Sequence, residues 1–95
     1  MTNTVYYKAS PVVSCGDEGE EGAVLFNPDI DDTIIVNLTG KHLWYLLETP
    51  QTAEQLVVHL TEIYPDAPPD SVVNDVRQFL DTLLPDFIEV VEGNG

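Results

Sequence analysis

The sequence has very few positive charges. Its 95 residues include 17 acidic side chains but only Lys8, Lys41 and Arg77 as basic ones, for a formal net charge of −14 at pH 7. Phosphate groups are bound by lysine and arginine side chains that replace counterions, so nucleic acids and anionic membrane surfaces are poor partners. The charge favours a basic partner, or one held mainly by main-chain and apolar contacts. Solubility alone is the other explanation of the acids.

Cysteine is nearly absent as well. Cys15 is the single cysteine, which excludes an intramolecular disulfide and fits a reducing compartment. No apolar run approaches membrane-spanning length. The first ten residues lack the basic region followed by an apolar region that is typical of a secretory signal. We therefore expect one cytoplasmic domain with a modest core and no membrane partner.

The many carboxylates form no recognisable metal motif. Asp29, Asp31 and Asp32 resemble the start of a calcium-binding EF-hand loop. That loop needs glycine at its sixth position and glutamate at its twelfth, where this chain has Ile34 and Gly40. An acidic turn explains the three aspartates better than a calcium site.

The cysteine and the two histidines also do not indicate a catalytic or metal site. His42 and His59 lie on different predicted helices, and neither has a cysteine or histidine at metal-ligand spacing. Acidic neighbours of Cys15 disfavour its thiolate. We expect no metal, no cofactor and no catalytic activity.

Strand signals fill the first part of the chain. Residues 23–26 and 33–38 are apolar and β-branched and flank a turn, which predicts an antiparallel hairpin. Residues 5–7 and 12–14 are further strand candidates. The glycine-rich acidic stretch 15–22, between the candidates 12–14 and 23–26, is predicted to be a turn or loop.

Three helix signals follow the hairpin. The apolar period changes at Thr39, which is placed to cap a helix over about 40–48. Trp44 lies with Leu43 and Leu47 on the apolar side of this helix, which predicts a core position. Thr52 and Gln55 form a capping-box pattern at the start of the second helix, which Pro65 ends.

Asp70 is placed to cap the third helix, which Pro85 ends. After that helix, residues 87–91 are a short strand or an extended tail, and residues 93–95 are expected to fray.

The third helix has an unusually broad apolar face. Either it lies centrally between the sheet and the other helices, or one edge of the face lines a groove. Arg77, the only arginine, lies at that edge. It forms a surface ion pair with a nearby aspartate, or it anchors a carboxylate of a bound chain.

Three groups of residues follow one another in a fixed order: Asn37-Leu38-Thr39-Gly40 with Leu43-Trp44, then Thr52 with Leu56, Leu60 and Tyr64, and finally Asp75-Val76 with Phe79-Leu80 and Leu83. This ordered set, across about residues 12–91, resembles the PqqD-like family. Members of this family bind leader peptides of ribosomally synthesised, post-translationally modified peptides. One departure is Pro85-Asp86-Phe87-Ile88, where many members have Gly-Leu-Leu or Gly-Leu-Ile.

The resemblance implies one domain over residues 1–95, of α+β class. Its fold would be winged helix-turn-helix-like, with a three-stranded antiparallel sheet and three helices. Residues 1–11 would be irregular or an edge strand, and 92–95 a frayed tail.

The resemblance also implies a binding site and partners. A leader peptide would add as a strand to the edge strand 33–38, against the third helix. The implied contact residues are Asp32, Thr33, Ile34, Ile35, Val36 and Asn37 on the strand side, and Val73, Val76, Arg77 and Leu80 on the helix. The protein would present the peptide to a separate modifying enzyme: a radical SAM enzyme, a lasso-peptide leader peptidase or a cyclodehydratase.

Two other functions stay open at this point. One is an acidic regulatory subunit that binds a folded partner protein. The other is a winged-helix nucleic-acid binder, which the net charge argues against. An exposed edge strand also leaves the protein either a monomer or an edge-paired homodimer.

Overall fold

The computed structural model describes residues 3–94. The elements in this range are β1 (Asn3–Ala9), β2 (Ser14–Asp17), β3 (Ala23–Asn27), β4 (Asp32–Val36), α1 (Leu38–Leu46), α2 (Ala53–Ile63), α3 (Pro69–Leu83) and β5 (Ile88–Asn94). Strands β2, β3 and β4 form one antiparallel sheet in that order. The predicted α+β class, with a three-stranded antiparallel sheet and three helices, is confirmed for the described range.

A second sheet joins the two ends of the chain, and the sequence did not predict this pairing. Strands β1 and β5 run antiparallel, with Tyr7 opposite Val90. Tyr7 also exchanges two main-chain hydrogen bonds with Gln51, of 2.7 and 2.9 Å. The fraying predicted for Gly93 and Asn94 is wrong because β5 continues to Asn94. The predictions for residues 1, 2 and 95 lie outside the described residues.

Strand β2 lies partly inside the segment predicted to be a loop. It occupies Ser14–Asp17 rather than residues 12–14, because its main chain pairs with β3 although its side chains are mostly exposed. The following turn returns through Gly22, whose φ is 116°. A Cβ atom there would lie 1.9 Å from the Val36 carbonyl oxygen, so the close approach of the turn to β4 requires glycine.

The helix starts differ from expectation in two of three cases. Asn37, not Thr39, caps α1: its side-chain oxygen accepts the Gly40 N–H at 2.9 Å. The predicted capping box at Thr52 and Gln55 is confirmed, with bonds of 2.8 and 3.0 Å.

Helix α3 begins without a side-chain cap. Pro69 occupies its first turn, where the missing N–H costs no helical bond. The predicted capping role of Asp70 is wrong, because Asp70 is already helical; its carboxylate still complements the helix dipole.

The core lies between the inner face of the β2–β3–β4 sheet and the three helices. Its buried apolar residues are Ala23, Leu25, Val36, Leu43, Trp44, Leu47, Leu56, Leu60, Val72, Val76, Phe79, Leu80, Leu83, Phe87 and Ile88. Trp44 is therefore a core residue, as its helical spacing predicted. Helix α3 supplies five of the fifteen, so its broad apolar face mainly reflects a central position.

Candidate functional site: the open edge of β4

Strand β4 forms one edge of the three-stranded sheet. It pairs with β3 on one side, and no other strand in residues 3–94 pairs with its second side. Val36 is buried and Ile34 half-buried, whereas Thr33 and Ile35 are exposed. Ile35 is the extreme case, with 77% of its surface exposed. An exposed edge with an apolar β-branched residue is a template for pairing with another chain.

The register shows which main-chain groups face outward. The Glu18 N–H donates to the Gly22 carbonyl at 2.9 Å, which fixes the alternation of bonded pairs between β2 and β3. It follows that Leu25 directs its N–H and C=O toward its partner on β4, Ile34. Because successive residues alternate, Ile35 presents its N–H and C=O to the open side.

Thr33 is the second residue of β4 with main-chain groups on the open side. Its N–H does not bond to β3; it donates instead to the Asp32 carboxylate at 2.9 Å. The Asp32 oxygen thus occupies a position that a carbonyl of an added strand would otherwise take. Binding of a strand at Thr33 therefore requires this short-range hydrogen bond to break.

A groove of about 190 Å³ runs beside the open edge. Its lining consists of Ile35, Val36, Asn37 and Gly40 on one side and Gln78, Phe79, Thr82 and Leu83 of α3 on the other. None of these side chains is charged. The groove therefore offers a ligand main-chain bonds, apolar contact and a few neutral polar groups.

The structure separates the predicted contact residues into two surfaces. The strand residues lie at the β4 edge, but Val73, Val76, Arg77 and Leu80 line a different cavity, between α2 and α3. The α3 residues that border the β4 groove are ones that the sequence did not indicate: Gln78, Phe79, Thr82 and Leu83. Phe79 and Leu83 belong to the broad apolar face of α3, but that face alone does not say which flank of the helix meets the sheet edge.

Arg77 makes no ion pair with an acidic side chain of residues 3–94. Ion pairs in this range join Lys41 to Asp17 and His59 to Glu62. The predicted surface ion pair of Arg77 is therefore absent from the described structure, and Arg77 lines the α2–α3 cavity.

A polar network fastens the β2–β3 turn to α1, next to the β4–α1 junction. The Asp17 carboxylate accepts hydrogen bonds from the Gly19 N–H at 2.8 Å, the Lys41 ammonium at 3.0 Å and the Tyr45 hydroxyl at 2.9 Å. These donors, the Gly19 N–H first, lower the pKa of Asp17 from 3.8 to about 2. The same bond to Asp17, followed by that to Cys15, raises the pKa of Tyr45. Lys41 is thus engaged inside the protein and is not available to a partner.

The described residues hold no grouping of three or more His, Cys, Asp or Glu side chains suited to a metal ion. In the same part of the chain, every helix is too short or too polar to cross a membrane. His42 packs edge-on against the Tyr64 ring, with centroids 6.0 Å apart.

Comparison with known proteins identifies the family. Residues 22–85 match the family described as Coenzyme PQQ synthesis protein D (PqqD), which is more than half of the chain. The chain therefore belongs to the PqqD family. The family match includes β3, β4 and all three helices, and leaves β1, β2 and β5 outside it.

A solved structure shares the fold. It is described as TbiB1 in complex with the TbiA(beta) leader peptide, and it superimposes with a TM-score of 0.71 at 24% identity. The alignment covers 86% of this chain and 94% of that chain. No curated protein sequence matches the chain significantly.

Proposed function

We propose that this protein binds the leader segment of a ribosomally synthesised precursor peptide and presents it to a separate modifying enzyme. The leader adds as a fourth strand to β4 and lies in the groove between β4 and α3. The observation that carries this proposal is the outward N–H and C=O of Ile35 beside an uncharged groove. Membership of the PqqD family and the likeness to a leader-peptide complex support it.

Affinity would come mainly from main-chain bonds along β4. Thr33 and Ile35 present their main-chain groups to the open side of β4, so an added strand would pair with these two residues. The Asn37 carbonyl, beyond the strand, already accepts the Lys41 N–H at 2.8 Å. Specificity would come from side chains of the leader that enter the groove. Gln78, Phe79, Thr82 and Leu83 form its α3 wall, in place of the four α3 residues that the sequence suggested.

Presentation to an enzyme needs no catalytic group in this chain. A protein that holds the leader and also contacts the enzyme raises the local concentration of the precursor at the active site. A radical SAM enzyme, a lasso leader peptidase and a cyclodehydratase are all compatible clients. We place the protein in the cytoplasm with such an enzyme, and we assign it no cofactor.

Leader titration tests the binding step. A fluorescent leader of the precursor encoded nearby should bind saturably to the wild type. Ile35→Pro removes the outward donor and should weaken binding by about tenfold or more. Ile35→Thr keeps both the N–H and the β-branch and should bind within about threefold of the wild type.

Three other results would contradict this function. If Ile35→Pro binds the leader as tightly as the wild type, strand addition at β4 is wrong. Retention of duplex DNA at low salt, with no leader binding, would instead favour a nucleic-acid function. Stable association with a folded enzyme in the absence of any leader affinity would favour a regulatory subunit.

A further inference from the structure

A cavity of about 630 Å³, the α2–α3 cavity, lies between these two helices. Its lining consists of Tyr7, Ala53, Glu54, Val57, Val58, Val73, Val76, Arg77, Leu80, Asp81 and Leu84. It lies on the flank of α3 opposite to the residues that border the β4 groove. The proposed leader site does not use it.

Docking in this cavity must occur through side chains. The main chains of α2 and α3 are hydrogen-bonded within the helices. Tyr7, the only strand residue in the lining, has both its N–H and its C=O paired with Gln51. Strand addition is therefore excluded here, whereas a third helix can lay its side chains between the two helices.

Two exposed valines in the cavity favour contact with the apolar face of a helix. Val58 is 58% exposed and Val73 39% exposed, one from each wall. Half-buried Ala53, Val57 and Leu84 continue the apolar surface inward. Burial of this surface by an apolar helix face is favourable by about 25 cal/mol per Å².

Charge selects the type of helix. Glu54 and Asp81 flank the cavity, Arg77 is its single cation, and the whole chain carries −14. A second copy of this chain, or any strongly acidic partner, would be repelled. A helix rich in lysine or arginine is attracted by the overall field and pairs with the two rim carboxylates.

We propose that the α2–α3 cavity docks a net-basic amphipathic helix of the enzyme that receives the peptide. This assignment rests on the proposed function, because it makes α3 the element between bound leader and enzyme. Apolar residues of the helix contact Val58 and Val73, its basic residues meet Glu54 and Asp81, and one carboxylate meets Arg77. The leader and the enzyme then occupy opposite flanks of one helix.

A model peptide tests the chemistry of the cavity on the full chain. The probe is a helical peptide of about 18 residues, with leucine at helical spacing and lysine elsewhere. Its control has the same composition in alternating order. In NMR titrations at about 0.15 M salt, where long-range attraction is screened, the helical peptide should shift the methyl signals of Val57, Val58 and Val73. The alternating peptide should bind about tenfold more weakly.

Two double variants distinguish the apolar from the electrostatic contribution to binding of the helical peptide. Val58→Gln with Val73→Gln changes two exposed side chains and no charge, and should weaken the helical peptide about tenfold. Leader affinity should stay unchanged in this variant, so failure of this inference is distinct from failure of leader binding. Glu54→Gln with Asp81→Asn should weaken binding and reduce its dependence on salt.

Several results would overturn the inference. These are equal binding of the two peptides, signal changes spread over the acidic surface, or an unaffected double glutamine variant. Leader-induced shifts at Val58 and Val73 would assign the cavity to the precursor instead. Concentration-dependent dimers that the glutamine variant abolishes would assign it to a second copy.

Discussion

Ile35 of β4 and Phe79 of α3 line the same groove. Ile35 is 77% exposed and Phe79 only 7% exposed. The groove is therefore anchored in the core on its helix side and open to a ligand along its strand side. This arrangement suits a site that is already formed before an extended peptide arrives.

A bulky side chain on either flank of α3 tests which flank contacts the leader. Thr82→Trp fills the groove beside β4, and we expect it to weaken leader binding by about tenfold or more. Val73→Trp is the matched change on the other flank and should leave leader binding within about twofold. Both positions are exposed, so both variants should fold. Fluorescence titration with one labelled leader compares them; the reverse order of effects would move the leader to the α2–α3 cavity.

Asp32 is predicted to restrain binding. Asp32→Ala frees the Thr33 N–H from its 2.9 Å bond. A free donor is worth about 0.5–1.5 kcal/mol when the leader supplies its acceptor, so affinity should rise about two- to tenfold. Asp29→Ala removes the same charge nearby without touching that bond. If both variants gain equally in calorimetric titrations, the effect is one of net charge and not of the Thr33 donor.

The cap of α1 can be tested through stability. Asn37→Ala removes the side-chain acceptor for Gly40 and should lower the free energy of unfolding by about 1 kcal/mol. Thr39→Ala, at the position that the sequence suggested, should change it by less than about 0.5 kcal/mol. Urea unfolding followed by circular dichroism measures both. A larger loss at Thr39 than at Asn37 would contradict the observed cap.

Protonation of Asp17 at low pH should weaken the hydrogen bonds that hold the β2–β3 turn against α1. Its pKa falls from 3.8 to about 2 on folding, so the charged carboxylate stabilises the folded state. This contribution is complete above about pH 4 and is lost as the pH falls toward about 2. Asp17→Asn should therefore lower stability near neutral pH and reduce the loss of stability between those two pH values. Asp66→Asn, whose side chain forms no hydrogen bond within residues 3–94, is the control and should keep the wild-type slope.

The sequence predicted those parts of the fold that local signals determine. The hairpin of β3 and β4, the capping box at Thr52 and the buried Trp44 each follow from short-range pattern, and each is confirmed. The strand predicted over residues 12–14 lies instead at Ser14–Asp17. These residues do not have the composition of a strand, and they form one because their main chain pairs with β3.

Long-range geometry accounts for what sequence reasoning missed. The β1–β5 pairing joins segments at opposite ends of the chain, and no local pattern indicates it. Strand β4, Asp32–Val36, forms a sheet edge, as the sequence predicted for residues 33–38. That a peptide binds along Asp32 to Asn37 stays a prediction. The helix half depends on the rotation of α3 about its axis, which decides that Thr82 rather than Val73 lies beside β4.

Amide hydrogen exchange at Ile35 reports directly on strand addition at β4. In the free protein this N–H points to the open side of β4, whereas the Ile34 N–H is already bonded to β3. Exchange would be followed by NMR with and without a saturating leader peptide. If the leader adds as a strand at β4, it slows exchange at Ile35 by at least about tenfold, and by more than at Ile34. Unchanged exchange at Ile35 in the saturated complex would contradict strand addition at β4.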